Sequence, residues 1–188
     1  QNRRPLPWRL DPTPYRVWIS EIMLQQTRVA AVLPYFHRFL EALPDIPSLA
    51  AADPELLLKL WEGLGYYSRA RNLQACAKVC VQQHGGQLPG DYQSLLKLPG
   101  IGPYTAGAIA SIAFGLPVPA VDGNVHRVFS RLLSAEGDIA APAVKRALFD
   151  LAAQAVPSER PGDFNQAVMD LGATVCPPNA LPLCASCP

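Results

Sequence analysis

Two carboxylates and three cysteines carry most of the chemistry this sequence offers. Glu21 lies in Y-R-V-W-I-S-E-I-M-L-Q-Q-T, where it is the only charge between Arg16 and Arg28. A surface helix shows a charged face, and this segment has none. Glu21 is therefore expected to be partly buried, where desolvation disfavours the ionised form and raises the pKa. The alternative is a glutamate reaching water at a helix edge. Asp122 opens V-D-G-N-V-H-R-V at an N-cap position, where the helix dipole and free N–H groups favour an anion. Taken alone, Asp122 reads first as a cap. Taken together, the two acids have environments that push them apart, the signature of a proton donor partnered by an electrostatic stabiliser. Breaking a glycosidic bond needs such a pair, because the leaving group must gain a proton and the sugar becomes cation-like. Cys176, Cys184 and Cys187 crowd the C-terminal end among prolines. With five cysteines, an odd count, and no basic-apolar leader at Gln1, a metal site is expected rather than a disulfide framework.

The elements that must position these groups are helical. In L-P-G-I-G-P-Y-T-A-G-A (residues 98–108), Gly100 and Gly102 allow a tight turn, and Pro103 suits the first helical position. The small apolar run that follows predicts a buried helix. A tight turn opening a helix presents backbone N–H groups to an anion, although a corner without a ligand fits equally well. Pro117 and Pro119 then hold the chain extended up to Asp122. Further helices are expected over residues 15–27, 28–43 with a kink at Pro34, 54–61, 73–84, 92–97, 125–133, 141–156 and 163–175, with a short turn at 48–52. Residues 1–11, with Arg3, Arg4 and Arg9, read as an irregular arm. No segment alternates or carries a hairpin signal, so the fold is expected to be all-α.

Chain length allows one large or two small domains. Hydrophobic residues make up 49%, enough for a core, yet no apolar run is long enough to span a membrane. A net charge of +1 neither demands nor excludes nucleic acid. In G-L-G-Y-Y-S-R-A-R-N-L (residues 63–73), aromatic and basic residues interleave at a helix start, a composition that suits base and phosphate contact. One of Tyr66 and Tyr67 is expected to fill core instead. Cys76 and Cys80 read as buried small apolar residues. His37, His84 and His126 share no metal spacing and read as surface residues.

Four ordered motifs, at residues 20–27, 63–73, 98–109 and 121–128, resemble those of the MutY-type adenine DNA glycosylases. These belong to the helix–hairpin–helix superfamily with endonuclease III. The resemblance runs from about Trp8 to the C-terminal end. It implies two helical domains, a six-helix domain with the hairpin (residues 21–118) and an iron–sulfur cluster domain (1–20 and 119–188), with the active site in the cleft between them. It implies double-stranded DNA carrying an A·8-oxoguanine or A·G mispair as partner, with adenine flipped into the cleft. By the same resemblance Glu21 protonates adenine at N7, Asp122 stabilises the oxocarbenium ion, and Asn124 and Tyr104 assist. Gln26 and Tyr66 enter the base stack, and Arg9 and Gln166 line the adenine pocket. Gly100, Gly102 and Tyr104 belong to a hairpin that holds a phosphate, and Gln25, Thr27, Leu64 and Arg69 complete the DNA-binding set. Cys176, Cys184 and Cys187 are the ligands of a 4Fe–4S cluster, whose fourth cysteine is not in this chain.

Bifunctional relatives carry a lysine just after the hairpin, whereas this chain has Tyr104, which lacks the amine for a Schiff base. A monofunctional enzyme is expected. Two departures stand out. Pro103 occupies a position that is usually basic, and the cysteines are spaced C-x7-C-x2-C rather than C-x6-C-x2-C-x5-C. A zinc site is the alternative at those cysteines. The family's 8-oxoguanine-reading C-terminal domain is expected to be absent. A monomer in the cytoplasm, at the bacterial nucleoid, is expected. The rival functions are a thymine/uracil–guanine mismatch glycosylase of the same superfamily and a damage-binding module without chemistry.

Overall fold

The computed structural model describes residues 4–135 and 138–187, so Arg3 lies outside the described residues. Among the described residues, eleven α-helices and one 3-10 turn make up the regular structure, and no strand occurs. In order they are α1 (Pro7–Leu10), α2 (Pro14–Leu24), α3 (Val29–Ala42), α4 (Ile46–Ala51), α5 (Pro54–Trp61), α6 (Ser68–Gln83), α7 (Tyr92–Leu95), α8 (Pro103–Ala113), α9 (Gly123–Leu132), α10 (Pro142–Ala155) and α11 (Pro161–Thr174), with Cys184–Ser186 the 3-10 turn. The all-α expectation holds. The arm is not wholly irregular, because proline at the first helical position starts the single turn α1. Among the described residues, no helix is long and apolar enough to cross a membrane.

Helix starts follow local chemistry. Thr13, Asp53, Asp91 and Asp122 each accept a hydrogen bond from a backbone N–H in the first turn of the helix that follows, and Asp45 with Ser48 forms a capping box. Pro34 sits inside α3 on its exposed side.

Helix α2 is the central element, packed against α8, α3 and α6. It buries every residue from Val17 to Met23, Glu21 included. The larger apolar cluster joins α2 to Phe36, Phe39, Trp61, Leu73 and Ile109, and it takes in Leu6 and Trp8 from the arm. Trp8 meets Phe36 edge-on at 5.1 Å between centroids. A second, smaller cluster brings Ala108 of α8 against Ala120, Val125, Ala152 and Met169. The sequence boundary expected at residue 21 thus falls inside a helix, and the arm's apolar residues pack on the first cluster, while Arg4 and Arg9 pair with Asp170 of α11.

The extended passage before Asp122 is held by one buried side chain. Asn165 of α11 accepts from Ala120 N at 3.1 Å and donates to Val118 O and Ser111 Oγ, both at 2.9 Å. A Cβ on Gly107 would collide with the carbonyl oxygen of Pro119, and one on Gly172 would lie 2.6 Å from Asn124 Cβ. Both glycines let backbone come close where a larger residue would force α8, α9 and α11 apart.

Candidate active site

Helix α2 delivers Glu21 to a cleft of ≈ 710 Å³, and the α9 N-terminus delivers Asp122 to the same cleft. Glu21 is 6% exposed. Its carboxyl accepts a hydrogen bond from the Tyr104 hydroxyl at 2.6 Å. Burial pushes the Glu21 pKa up to about 7; the Tyr104 hydrogen bond works against this, the Asp122 charge adds to it and the Arg9 charge opposes it. The Tyr104 hydroxyl is itself held well above its ordinary range, by burial and by the two carboxylates. It stays a neutral donor across the working pH range.

Asp122 is built differently. Oδ1 accepts from Val125 N at 2.8 Å, the capping bond that the sequence suggested, and Oδ2 accepts from Asn124 Nδ2 at 2.6 Å. Asn124 is in turn fixed by Arg127, whose guanidinium donates to Asn124 Oδ1 at 2.8 Å, Gly172 O at 2.7 Å and Cys176 O at 2.7 Å. Sequence reasoning passed over Arg127. Its position three residues after Asn124 on one helix face was the available signal, but the carbonyls it reaches lie far along the chain.

The structure brings Glu21, Asp122, Tyr104 and Asn124 together, with Arg9, Gln25, Gln26, Thr27 and Gln166 on the same cleft. Arg9 binds Asp170 with both guanidinium arms, at 2.6 and 3.1 Å. Gln166 donates to Gly162 O at 3.1 Å, while its carbonyl Oε1 is buried without a hydrogen-bond acceptor's usual partner. Gln26 and Tyr66 are exposed and adopt left-handed backbone angles (φ 57° and 47°), conformations that cost energy for residues with a side chain.

Other expectations are corrected. Arg69 is not at the surface as a phosphate contact. It is 7% exposed, and its guanidinium is spent on backbone carbonyls of Ile22, Met23, Gln25, Leu64 and Gly65. The Leu64 side chain joins the apolar core. Neither Tyr66 nor Tyr67 fills core; both are exposed. Of the hairpin glycines, Gly100 has φ 74°, while Gly102 is extended and could carry a side chain. Asn72 packs close beneath Gly100, so a Cβ there would lie 2.7 Å from Asn72 Cβ. His126 is half-buried, not a surface residue, and its Nδ1 has no partner.

Cys76 and Cys80 are buried, as expected. The three C-terminal cysteines are of the right kind for an iron–sulfur cluster, and the Arg131 guanidinium donates to Cys176 Sγ at 3.0 Å. They do not fit in arrangement. Among the described residues no three His, Cys, Asp or Glu side chains are grouped to hold a metal ion.

Comparison with known proteins gives this cleft a context. Residues 19–154 match the family described as HhH-GPD superfamily base excision DNA repair protein. The human adenine DNA glycosylase is 49% identical over the whole of this chain, which covers 36% of that protein. Its counterpart from Buchnera aphidicola (Acyrthosiphon pisum strain) is 40% identical over the whole chain, covering 53% of that protein. The chain thus spans between about a third and a half of the length of these relatives. Among solved structures, a thermostable thymine-DNA glycosylase superposes with TM-score 0.90 at 31% identity, over 100% of this chain and 86% of that one. An endonuclease III–DNA complex superposes with TM-score 0.80 at 27% identity, over 94% and 80%. With 136 consecutive positions of the family spanning both acids of the cleft, this chain belongs to the HhH-GPD superfamily of base excision DNA repair proteins.

Proposed function

We propose that this chain carries the active site of a monofunctional adenine DNA glycosylase acting on adenine paired with 8-oxoguanine or guanine. The observation that supports it most is Glu21, a buried carboxyl still protonated near neutral pH and sharing one cleft with Asp122. In this reading the flipped adenine takes the proton of Glu21 on N7, so the bond from N9 to the sugar can break with the electron pair leaving on the base. Asp122 faces the oxocarbenium ion that remains, and water adds to it, releasing a proton. A positioned acid contributes on the order of 100- to 10,000-fold. Tyr104 holds the acid's orientation and offers no amine for strand cleavage. Gln26 and Tyr66, exposed on strained turns, enter the stack around the opposite base, and the unpartnered Oε1 of Gln166 is available to an amino group of the base.

The reading extends to two lobes, residues 21–118 against 1–20 with 119–188, and to a monomer on duplex DNA. The stretch from Cys176 to Cys187 would hold a 4Fe–4S cluster only after its thiols draw together around a fourth ligand, and no step of the chemistry is assigned to it.

The test is a single-turnover assay on duplexes with A·8-oxoguanine, A·G, A·T and T·G. Release of free adenine from the first two, with the abasic strand intact until alkali is added, is the expected result. Release of thymine from T·G instead would favour the mismatch specificity of the thymine-DNA glycosylase that this fold superposes on. Binding without base release would leave a recognition module.

A further inference from the structure

Arg69 looks like a DNA contact in the sequence, but in the fold it is the tie between two turns. Its Nη1 donates to Ile22 O and Met23 O at 2.9 Å and to Gln25 O at 2.7 Å. Its Nη2 donates to Leu64 O at 3.0 Å and Gly65 O at 3.1 Å. The first three carbonyls end α2 or follow it directly, and α2 has no basic residue in its last turn. Unpaired carbonyls at a helix end need donors and a positive charge, and Arg69 brings both from another helix. The other two carbonyls belong to the turn that leads into α6. The guanidinium carbon also sits 5.3 Å from the Trp61 ring centroid and 5.7 Å from that of Tyr66.

Each of the two tied turns carries one of the two exposed residues with strained backbone in this region, Gln26 on one and Tyr66 on the other. Such conformations persist only where the surroundings over-determine them. We propose that Arg69 is a positioning residue: by binding both turns at once it fixes the spacing and the left-handed backbone of Gln26 and Tyr66, and so sets how well the protein distinguishes a mispair from a matched pair. The inference rests on the reading of Gln26 and Tyr66 as the pair that enters the base stack. A planar fork is needed, because an ammonium has three donors and cannot reach five carbonyls arranged on two sides.

The test measures affinity for a duplex with 2′-fluoro-2′-deoxyadenosine, which resists cleavage, opposite guanine, relative to the same duplex with thymine opposite. The proteins are wild type, Arg69→Lys, Gln26→Ala with Tyr66→Ala, and all three changes together. Arg69→Lys is expected to reduce the preference for the mispair by roughly tenfold, a coupling ordinary for groups in contact. Added to the Gln26→Ala, Tyr66→Ala protein, it is expected to cost nothing more. An unchanged preference in Arg69→Lys, or an equal further loss on the doubly altered background, overturns the inference while leaving the stack reading intact. If Gln26→Ala with Tyr66→Ala alone leaves the preference unchanged, the stack reading fails first and the inference falls with it. Should Arg69→Lys fail to fold, the wild-type protein decides by NMR. Separate, slowly exchanging Arg69 guanidinium protons are expected, and one averaged, rapidly exchanging signal overturns the tie.

Discussion

On one wall of the cleft Glu21 sits among apolar side chains with a single hydroxyl bonded to it. On the other, Asp122 has a donor on each oxygen, and the amide that supplies one of them is fixed by Arg127. The two groups are the same carboxyl. Burial makes the first hold its proton near neutrality, while a helix N-terminus and a side-chain amide each place a donor on the second. The comparison teaches that the acid and the stabiliser are assigned by environment, and that each wall uses its own means. The Glu21 wall relies on packing, and the Asp122 wall on a chain of hydrogen bonds reaching α11.

Removing either carboxyl breaks the comparison outright and gives the largest effect. Glu21→Gln is expected to lower the single-turnover rate of adenine release by about 100- to 10,000-fold, and Asp122→Asn by a similar factor. Both proteins should retain duplex affinity in a gel-shift or anisotropy measurement. Loss of binding along with activity would make the residues structural.

A smaller effect should follow from disturbing the Asp122 wall alone. In Gly172→Ala the new methyl would meet Asn124 Cβ at 2.6 Å, which must push Asn124 off Asp122. Overpacking of this kind costs about 1–3 kcal/mol, to be read by thermal unfolding. The excision rate should fall about tenfold if the displaced amide no longer orients Asp122, an estimate resting on sensitivity to misplacement. Unchanged rate in a destabilised protein would separate Asn124 from the chemistry.

Tyr104→Phe sharpens the other wall. Its hydroxyl lowers the Glu21 pKa, so its loss should move that pKa further up. The alkaline limb of the pH–rate profile should therefore shift to higher pH, with a rate change of only several-fold at neutrality. A limb shifted downward would contradict the assigned hydrogen bond.

How much of this was legible in the sequence depended on whether the signal was local. Glu21 announced its burial because no other charge lies between Arg16 and Arg28, and Asp122 announced a cap because its neighbours start a helix. The buried place of Arg69 was not legible because a glycine-rich, basic and aromatic loop has the composition of a nucleic-acid contact, whereas its partners, the α2 carbonyls, lie more than 40 residues away. Asn165, which holds the passage to Asp122, gave no local sign at all, since its acceptors and donors are on α8 and the extended link. The three C-terminal cysteines were legible as a group by spacing, but spacing did not gather them in space.

A further expected effect is on stability alone. The native state holds the Glu21 proton up to about pH 7, whereas an unfolded glutamate releases it near 4.5. Between those values the folded chain binds more protons, so stability falls as pH rises, by about 3 kcal/mol in all. Glu21→Gln should lack that slope and be the more stable protein above pH 7 in denaturant titrations.

The most direct measurement is a ¹³C NMR titration of the Glu21 side-chain carboxyl, assigned by its absence in Glu21→Gln. A midpoint at about 7 is the expected result. A midpoint near the ordinary 4.5 would mean that no protonated donor faces Asp122 at neutral pH, and the account would be wrong.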